Sequence, residues 1–467
     1  MRLNSLSAEE LYQYNRKNET PFNGRFFHER TKRYDRSLKA FISLPEKTDS
    51  PGIPYALKDN IMCRGTRTTC ASQMLWNYDS VYDATVVKRL RSRGFYVMGK
   101  TNMDEFSMGS STGNSAFFST RNPWNLKRSP GGSSGGSAVA VSTMMVPFAL
   151  GSDSGGSIRI PASFCGVVGY KPTYSLISRY GLVEYASSFD QIGPITRSVR
   201  DAAFIVQFIA GGDENDSITR ELKTDLLKEI ETPIEKKRIA IINELTDKCS
   251  PEIKRLFNTA VEKVKWTGAT VDEISLSELH NSLTVYHILS SAEASSNLNR
   301  FDGINFGLRV DASGHEALNV KTRSSGFGPE VKRRILLGTF VLKRSFYADY
   351  YKKAQLVRAL IAEKLLTLFK AYDAVISPTS PILPPRFSEL KDPLKEHAID
   401  SNTVVANLAG LPALSIPMGM IRGLPVGIQL MGAPFHDHIL LQIARNLEKS
   451  FGLYEDGNYP VPSLKED

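Results

Sequence analysis

Two short runs of glycine and serine hold the residues best suited to chemistry in this sequence. They are Ser129-Pro-Gly-Gly-Ser133-Ser134-Gly-Gly-Ser137 and Gly151-Ser-Asp-Ser-Gly-Gly-Ser157-Ile-Arg-Ile-Pro161. Each stands where a helix is expected to begin. At such a turn successive backbone N–H groups converge and the helix N-terminus adds partial positive charge. The turn therefore suits an anion, or the developing oxyanion of acyl transfer. The alternative is a pair of tight turns in which glycine only permits positive φ. Two such turns within one strand–helix–strand passage, each with a serine at its exit, favour chemistry, and Ser157 is the candidate nucleophile.

A serine nucleophile needs a base. Six of the seven histidines lie beyond position 279, and none has a recognisable setting. Lysine is the other option. Lys58, in Tyr55-Ala-Leu-Lys58-Asp59-Asn60, ends an apolar segment, where lost solvation would leave its amine neutral enough to accept a proton. A surface lysine with a buried stem would fit the same position.

The elements that must hold these residues follow from the pattern. A helix is expected near 8–15 with a loop after it, a strand at 54–57 ending on Lys58, a helix at 84–93 closed by Gly94, and a strand at 95–98. Residues 137–145 read as a helix, 146–150 as a buried strand, and 151–157 as the turn into another helix. A second βαβ-like passage has strands at 238–242 and 270–274 around a helix from Pro251 to Gly268, capped by Ser250. Residues 277–345 read as mostly helical, 345–372 as a long amphipathic helix, 374–377, 414–418 and 426–431 as strands, and a last helix starts at His438. The alternation indicates an α/β core.

Composition sets the bounds. The chain has 467 residues, 41% hydrophobic and 23% charged, which suits a globular protein with a large core. Cys63, Cys70, Cys165 and Cys249 lack the spacing of a disulfide framework or zinc site, so no metal is expected. The net charge of +9 suggests an acidic partner, a basic compartment or simply a solvated basic surface. The basic clusters 88–93 and 332–334 lack the interleaved aromatics of a nucleic-acid platform. The apolar stretch 138–150 is too short to span a bilayer, and no secretory leader is expected. Residues 1–7 make a weak transit peptide.

Together with further segments, these features resemble the amidase signature family over roughly residues 50–455. The resemblance rests on Leu57-Lys58-Asp59-Asn60, Gly99-Lys-Thr-Asn-Met-Asp-Glu-Phe106, the two serine loops, Cys165-Gly-Val-Val-Gly-Tyr-Lys-Pro172, Ser188-Phe-Asp-Gln-Ile-Gly-Pro194 and Asn407-Leu-Ala-Gly-Leu-Pro412. It implies an α/β amidase-signature fold, a mixed central sheet covered by helices on both faces. Residues 1–467 would be a single amidase domain, with a shortened N-terminal cover at 1–50, the signature core at 51–210, a helical and βα insertion at 211–345 and the C-terminal part of the core at 346–467. It implies a triad of Lys58, Ser133 and Ser157, a cis peptide bond at Ser133, and oxyanion donors in the N–H groups of Ser154, Gly155, Gly156 and Ser157.

The segments outside the serine loops point to the tRNA-dependent amidotransferase branch of that family. That branch implies a glutaminase that supplies ammonia for converting Glu-tRNA(Gln) to Gln-tRNA(Gln). Free glutamine is a zwitterion, and its pocket needs one cation and one anion. By resemblance these are Arg334, in Glu330-Val-Lys-Arg-Arg334, and Asp400, in Asp392-Pro-Leu-Lys-Glu-His-Ala-Ile-Asp400. The implied partners are the B subunit of the amidotransferase and a small third subunit, with Glu-tRNA(Gln) met mainly through the partner. No cofactor is implied in this chain, with ATP and Mg on a partner subunit, and no membrane insertion. A stand-alone amidase for small or fatty amides is the alternative function, and a non-catalytic scaffold that docks tRNA is a third.

Two patterns are set aside. Gly94-Phe-Tyr-Val-Met-Gly-Lys-Thr101 matches a P-loop letter for letter, but its centre reads as a strand. Gly132-Ser-Ser134-Gly-Gly matches a nucleophile elbow without the histidine and acid that an elbow needs. The His436 and His438 pair reads as an exposed loop. Three departures from the family stand out: a shorter region before Lys58, expected to reduce the first covering helices; Gly113 in place of the usual glutamate; and a basic net charge. They suggest an organellar form in the mitochondrial matrix, with the cytoplasm as the alternative.

Overall fold

The computed structural model describes residues 7–18, 22, 24–44, 52–391, 393–452 and 460–464. The expected leader at 1–7 lies, apart from Ser7, outside them. Among the described residues eleven strands form one mixed sheet: β1 (Phe41–Ser43), β2 (Ile53–Lys58), β3 (Phe95–Thr101), β4 (Phe148–Asp153), β5 (Val168–Lys171), β6 (Gln191–Thr196), β7 (Arg238–Ile242), β8 (Thr270–Ile274), β9 (Ala374–Pro378), β10 (Ala413–Ile421) and β11 (Leu424–Met431). Their order is β1-β3-β2-β4-β6-β5-β10-β11-β9-β7-β8. The expected α/β architecture is the one observed. The βα passage at 238–274 adds β7 and β8 to one end of the same sheet.

Burial explains the centre. Every residue of β2, β4 and β6 is buried, so these strands carry apolar side chains on both faces rather than alternating. Helices Thr85–Arg91, Val199–Ile209, Asp437–Phe451 and Pro251–Trp266 pack against one another in succession on the sheet. Gly135–Ser142 and Arg159–Cys165 form another packed pair.

The site lies along one edge. β2, β3 and β4 run parallel, with Lys58 opposite Thr101 and Leu57 opposite Leu150. Their C-terminal ends therefore fall together. β6 runs antiparallel to β4 and brings Gln191 opposite Asp153, while β10 starts beside the end of β5, with Ala413 opposite Lys171. Lys58, the serine turn after β4 and the segment before β10 thus meet at the edge where α/β sheets gather their ligands.

The structure alters several expectations. The N-terminal cover is not reduced to one helix and a loop. Ala8–Lys17 and Arg25–Leu38 are both helices, and the first is pinned by Asp201, whose carboxylate accepts the N–H groups of Ala8 and Glu9 at 3.1 Å each. The P-loop look-alike is strand β3, in keeping with the reading of its centre as a strand. Its Lys100 is fully buried, 3.1 Å from Asp59, and donates to Thr68 at 3.0 Å. The long helix at 345–372 is three consecutive pieces, Arg344–Tyr347, the π turn Ala348–Lys352 and Lys353–Leu368. His436 is exposed just before the last helix and His438 lies in its first turn. No helix among the described residues is long and apolar enough to cross a membrane.

Arg159 ties the halves of the chain together. It has no exposed surface, and its guanidinium donates to Asp153, to Gln429 on β11, to Asn407 and to the Thr403 carbonyl. Removing one member of such a buried pair strands the other. Arg159→Leu is expected to lower the unfolding free energy by about 3–5 kcal/mol, read by urea denaturation; an unchanged midpoint would show that the network carries no such load.

Candidate active site

The Lys58 side chain leaves the end of β2 into a fully buried space. Its Nζ lies 2.7 Å from Ser133 Oγ, 2.9 Å from Ser152 Oγ and 3.2 Å from the Ser152 carbonyl. Asn60 donates to the same Ser152 hydroxyl at 3.0 Å. Burial pulls the Lys58 amine down from the ordinary lysine value to about 7, against the opposing pull of Asp104, Asp153 and Asp190. Burial likewise raises the Asp104 and Asp190 carboxyls to about 7, so their opposition is weak near neutral pH.

Ser133 follows a cis peptide bond after Gly132. A Cβ at Gly132 would fall 2.1 Å from Asp104 Oδ2, so a side chain there would displace the loop. The Asp104 carboxylate gathers the N–H groups of Ser111, Thr112 and Asn114. It thereby shapes the segment that carries Gly113, whose own N–H bonds Ser111 Oγ at 3.1 Å.

Ser157 belongs to the neighbouring turn, and its carbonyl accepts the Ser134 N–H at 3.0 Å, which joins the two serine loops directly. Ser133 is fully buried while Ser157 is 9% exposed, so Ser157 is the less enclosed of the two serines. Asp153, at the end of β4, shapes this turn by accepting the N–H of Gly156 at 2.8 Å and of Ile158 at 3.1 Å. Burial alone would raise the Asp153 carboxyl, but the Arg159 guanidinium and hydrogen bonds from Arg159 and Asn407 outweigh it and hold Asp153 well below the usual carboxylate range.

One expected oxyanion donor is therefore otherwise engaged. The Gly156 N–H is taken up by Asp153, and the φ of +136° at this residue is one that glycine adopts without strain. Among the described residues the N–H groups of Ser154, Gly155 and Ser157 have no hydrogen-bond partner, which leaves these three open to an oxyanion. Gly156 is needed for space as well, since a Cβ would meet Thr403 Oγ1 at 2.2 Å.

Arg334 and Asp400, 66 positions apart in the chain, come to one region. Both are buried, at 4% and 8% exposure, and each acts on the ionisation of the buried Tyr286 phenol. The Tyr286 ring lies against the nucleophile turn, where a Cβ on Gly155 would be 2.5 Å from it. Arg334 also lines a cavity of about 240 Å³ with His287, Ser291, Arg333 and His397. Burial raises the Asp400 carboxyl to about 7, countered by a hydrogen bond from Ser110 and by the Arg334 charge. Arg334 donates to Glu330 at 2.6 Å and to the Tyr185 hydroxyl at 2.5 Å.

Sequence reasoning missed Tyr185, Tyr286, Asp190 and the partnership of Asp153 with Arg159. Asp190, Asp153 and Arg159 lie within the family motifs, so the serine loop itself held a signal for a carboxylate–guanidinium pair. Nothing in the spacing marks the two tyrosines.

An unfolded lysine keeps its proton up to about 10.5, whereas folded Lys58 loses it near 7. Between those values the unfolded chain binds more protons, so stability due to this group rises with pH. Relative to Lys58→Met, the wild-type chain should therefore gain stability from about pH 7 to 10.5 and show no relative change below 7, followed by chemical denaturation across pH. A flat difference would mean that Lys58 is not neutral in the fold.

Comparison with known proteins agrees with this geometry. The sequence matches the amidase family over residues 28–441. It is 50% identical over 444 residues to the A subunit of glutamyl-tRNA(Gln) amidotransferase from Thermotoga maritima, covering 94% of each chain. The corresponding protein of Pseudothermotoga lettingae is 48% identical, over 94% of this chain and 95% of that one. Among solved structures, the Thermotoga maritima protein superposes with a TM-score of 0.86 at 46% identity, covering 99% of this chain and 98% of the other. A 6-aminohexanoate cyclic dimer hydrolase with bound substrate gives 0.83 at 25% identity, covering 99% of each. A buried lysine against a serine at a cis bond, a second serine turn joined to it, and a match along nearly the whole chain lead to one assignment: the chain belongs to the amidase signature family.

Proposed function

We propose that this chain is the glutamine-hydrolysing amidase component of a glutamyl-tRNA(Gln) amidotransferase, releasing the ammonia that a partner uses to turn Glu-tRNA(Gln) into Gln-tRNA(Gln). The 2.7 Å contact between Lys58 Nζ and Ser133 Oγ in a fully buried space carries the chemistry. The names of the relatives, together with the buried Arg334 and Asp400, support the substrate. A stand-alone amidase for small or fatty amides would have no use for a buried cation and anion of this kind.

In this reading neutral Lys58 takes the Ser133 proton as Ser133 takes that of Ser157. Ser157 Oγ then attacks the side-chain amide carbon of glutamine. The N–H groups of Ser154, Gly155 and Ser157 hold the oxyanion. The relay returns the proton to the leaving nitrogen and ammonia departs, leaving a glutamyl ester on Ser157. Water, deprotonated by the same relay, hydrolyses the ester to glutamate and restores the hydroxyl. Arg334 holds the substrate's α-carboxylate and ionised Asp400 its ammonium.

The same reading gives the chain two partners, the B subunit of the amidotransferase and a small third subunit, with ATP and Mg on the partner. It places the assembly in a mitochondrial matrix, on the strength of the +9 net charge; the relatives named above are bacterial, and a cytoplasmic setting is the alternative.

The test is ammonia release from glutamine by the chain co-purified with its partner subunits. Ser157→Ala should lower kcat by at least about 10³-fold, and wild-type kcat should rise with pH through about 7, as Lys58 becomes neutral. Turnover of simple aliphatic amides without turnover of glutamine would select the stand-alone amidase instead.

A further inference from the structure

Tyr185 touches both ends of the site through different atoms. Its hydroxyl accepts from Arg334 Nη1 at 2.5 Å and donates to Ser290 Oγ at 2.9 Å. The Arg334 guanidinium carbon also sits 5.4 Å from the centre of the Tyr185 ring. The phenol therefore fixes one arm of the guanidinium, while Glu330 fixes the Nε edge at 2.6 Å. These two contacts leave Nη2 as the arm free of any hydrogen bond among the described residues.

The backbone of the same residue faces the other way. The N–H groups of Tyr185 and Ala186 donate to Asp190 Oδ2 at 2.8 and 3.0 Å, and Asp190 Oδ1 accepts from the hydroxyl of Ser154, the first residue of the oxyanion turn. One segment thus spans from the guanidinium to the cradle. Hydrogen bonds link Ser154 to Asp190 and Asp190 to the Tyr185 main chain, and the covalent body of Tyr185 carries the connection on to its hydroxyl, Arg334 and Glu330.

We propose that Tyr185 is a specificity-determining positioning residue, whose hydroxyl aims Arg334 at the substrate's α-carboxylate while its backbone holds the oxyanion turn in register with that carboxylate. This rests on the reading of Arg334 as the carboxylate partner. The division of labour within one residue makes the role separable: the side chain governs which amide is accepted, and the main chain serves every amide. A hydrogen bond to a charged group shifts the equilibrium it holds by about tenfold or more, here the one between an aimed and an unaimed guanidinium, and substrate affinity follows the aimed fraction.

The experiment compares Tyr185→Phe with the wild-type chain, both in the assembled complex, on glutamine and on butyramide, an amide of similar length without α-carboxylate or ammonium. Tyr185→Phe should raise KM for glutamine about tenfold or more with little change in kcat, and leave kcat/KM for butyramide unchanged. Equal losses on both amides would mean a merely structural role and overturn the proposal, as would an unchanged KM for glutamine. Arg334→Lys is assayed in parallel. If it too leaves the glutamine KM unchanged, the reading of Arg334 fails; if Arg334→Lys raises that KM and Tyr185→Phe does not, only the role given to Tyr185 fails.

Discussion

A carboxylate and a guanidinium withdrawn completely from water are costly to bury, and they stay together only when nearly every lone pair and N–H finds a partner. Asp153 and Arg159 meet that condition. Asp153 receives the guanidinium, the Asn407 amide and two backbone N–H groups of the nucleophile turn. Arg159 directs its other donors to β11 and to the segment before β10. The turn that presents Ser157 has its shape because its peptides answer to this one carboxylate. The Gly156 N–H points to Asp153 for the same reason, which divides the backbone donors of the turn between holding its shape and facing a substrate.

The neutral lysine depends on the same arrangement. Three carboxyls act on Lys58, and if all were ionised and unpaired they would keep it protonated. Asp153 is ionised, but its charge is matched by Arg159. Asp104 and Asp190 are so deeply buried that they ionise only near neutral pH, and their backbone partners hold loops in place. Desolvation of the amine therefore prevails. The neutrality of Lys58 is set by its whole surroundings rather than by its nearest neighbour.

Much of this is legible in the sequence, for identifiable reasons. Strands β2, β3 and β7 are apolar runs closed by glycine or charge, and Lys58 at the end of one of them stands out as a candidate base. The helix Arg25–Leu38 is not legible, because its buried positions Phe27, Thr31 and Leu38 are diluted by charged residues on the other faces. Strands β5 and β6 escape the pattern too. Gly193 and Pro194 read as punctuation, yet both pair with β4 at the centre of the sheet, with Gly193 packed so tightly that a Cβ would lie 2.1 Å from the Tyr170 carbonyl. Lys58, Ser133 and Ser157 stand out as candidates by type and family pattern, and the fold sets Lys58 against Ser133. Tyr185 meets Arg334 across 149 positions of the chain, and local spacing carries no trace of that contact.

The interleaved strand order has a consequence for the timing of biosynthesis. The nucleophile turn leaves the ribosome early, but Arg159 finds Thr403, Asn407 and Gln429 only 244 to 270 positions later. Until β10 and β11 enter the sheet, that guanidinium lacks three of its four partners, and Asp153 lacks the Asn407 amide. Long-range pairing of this kind completes late in folding. A nascent or truncated chain therefore carries all three residues of the serine–lysine set without the scaffold that arms them, and hydrolytic competence arrives with the last quarter of the polypeptide.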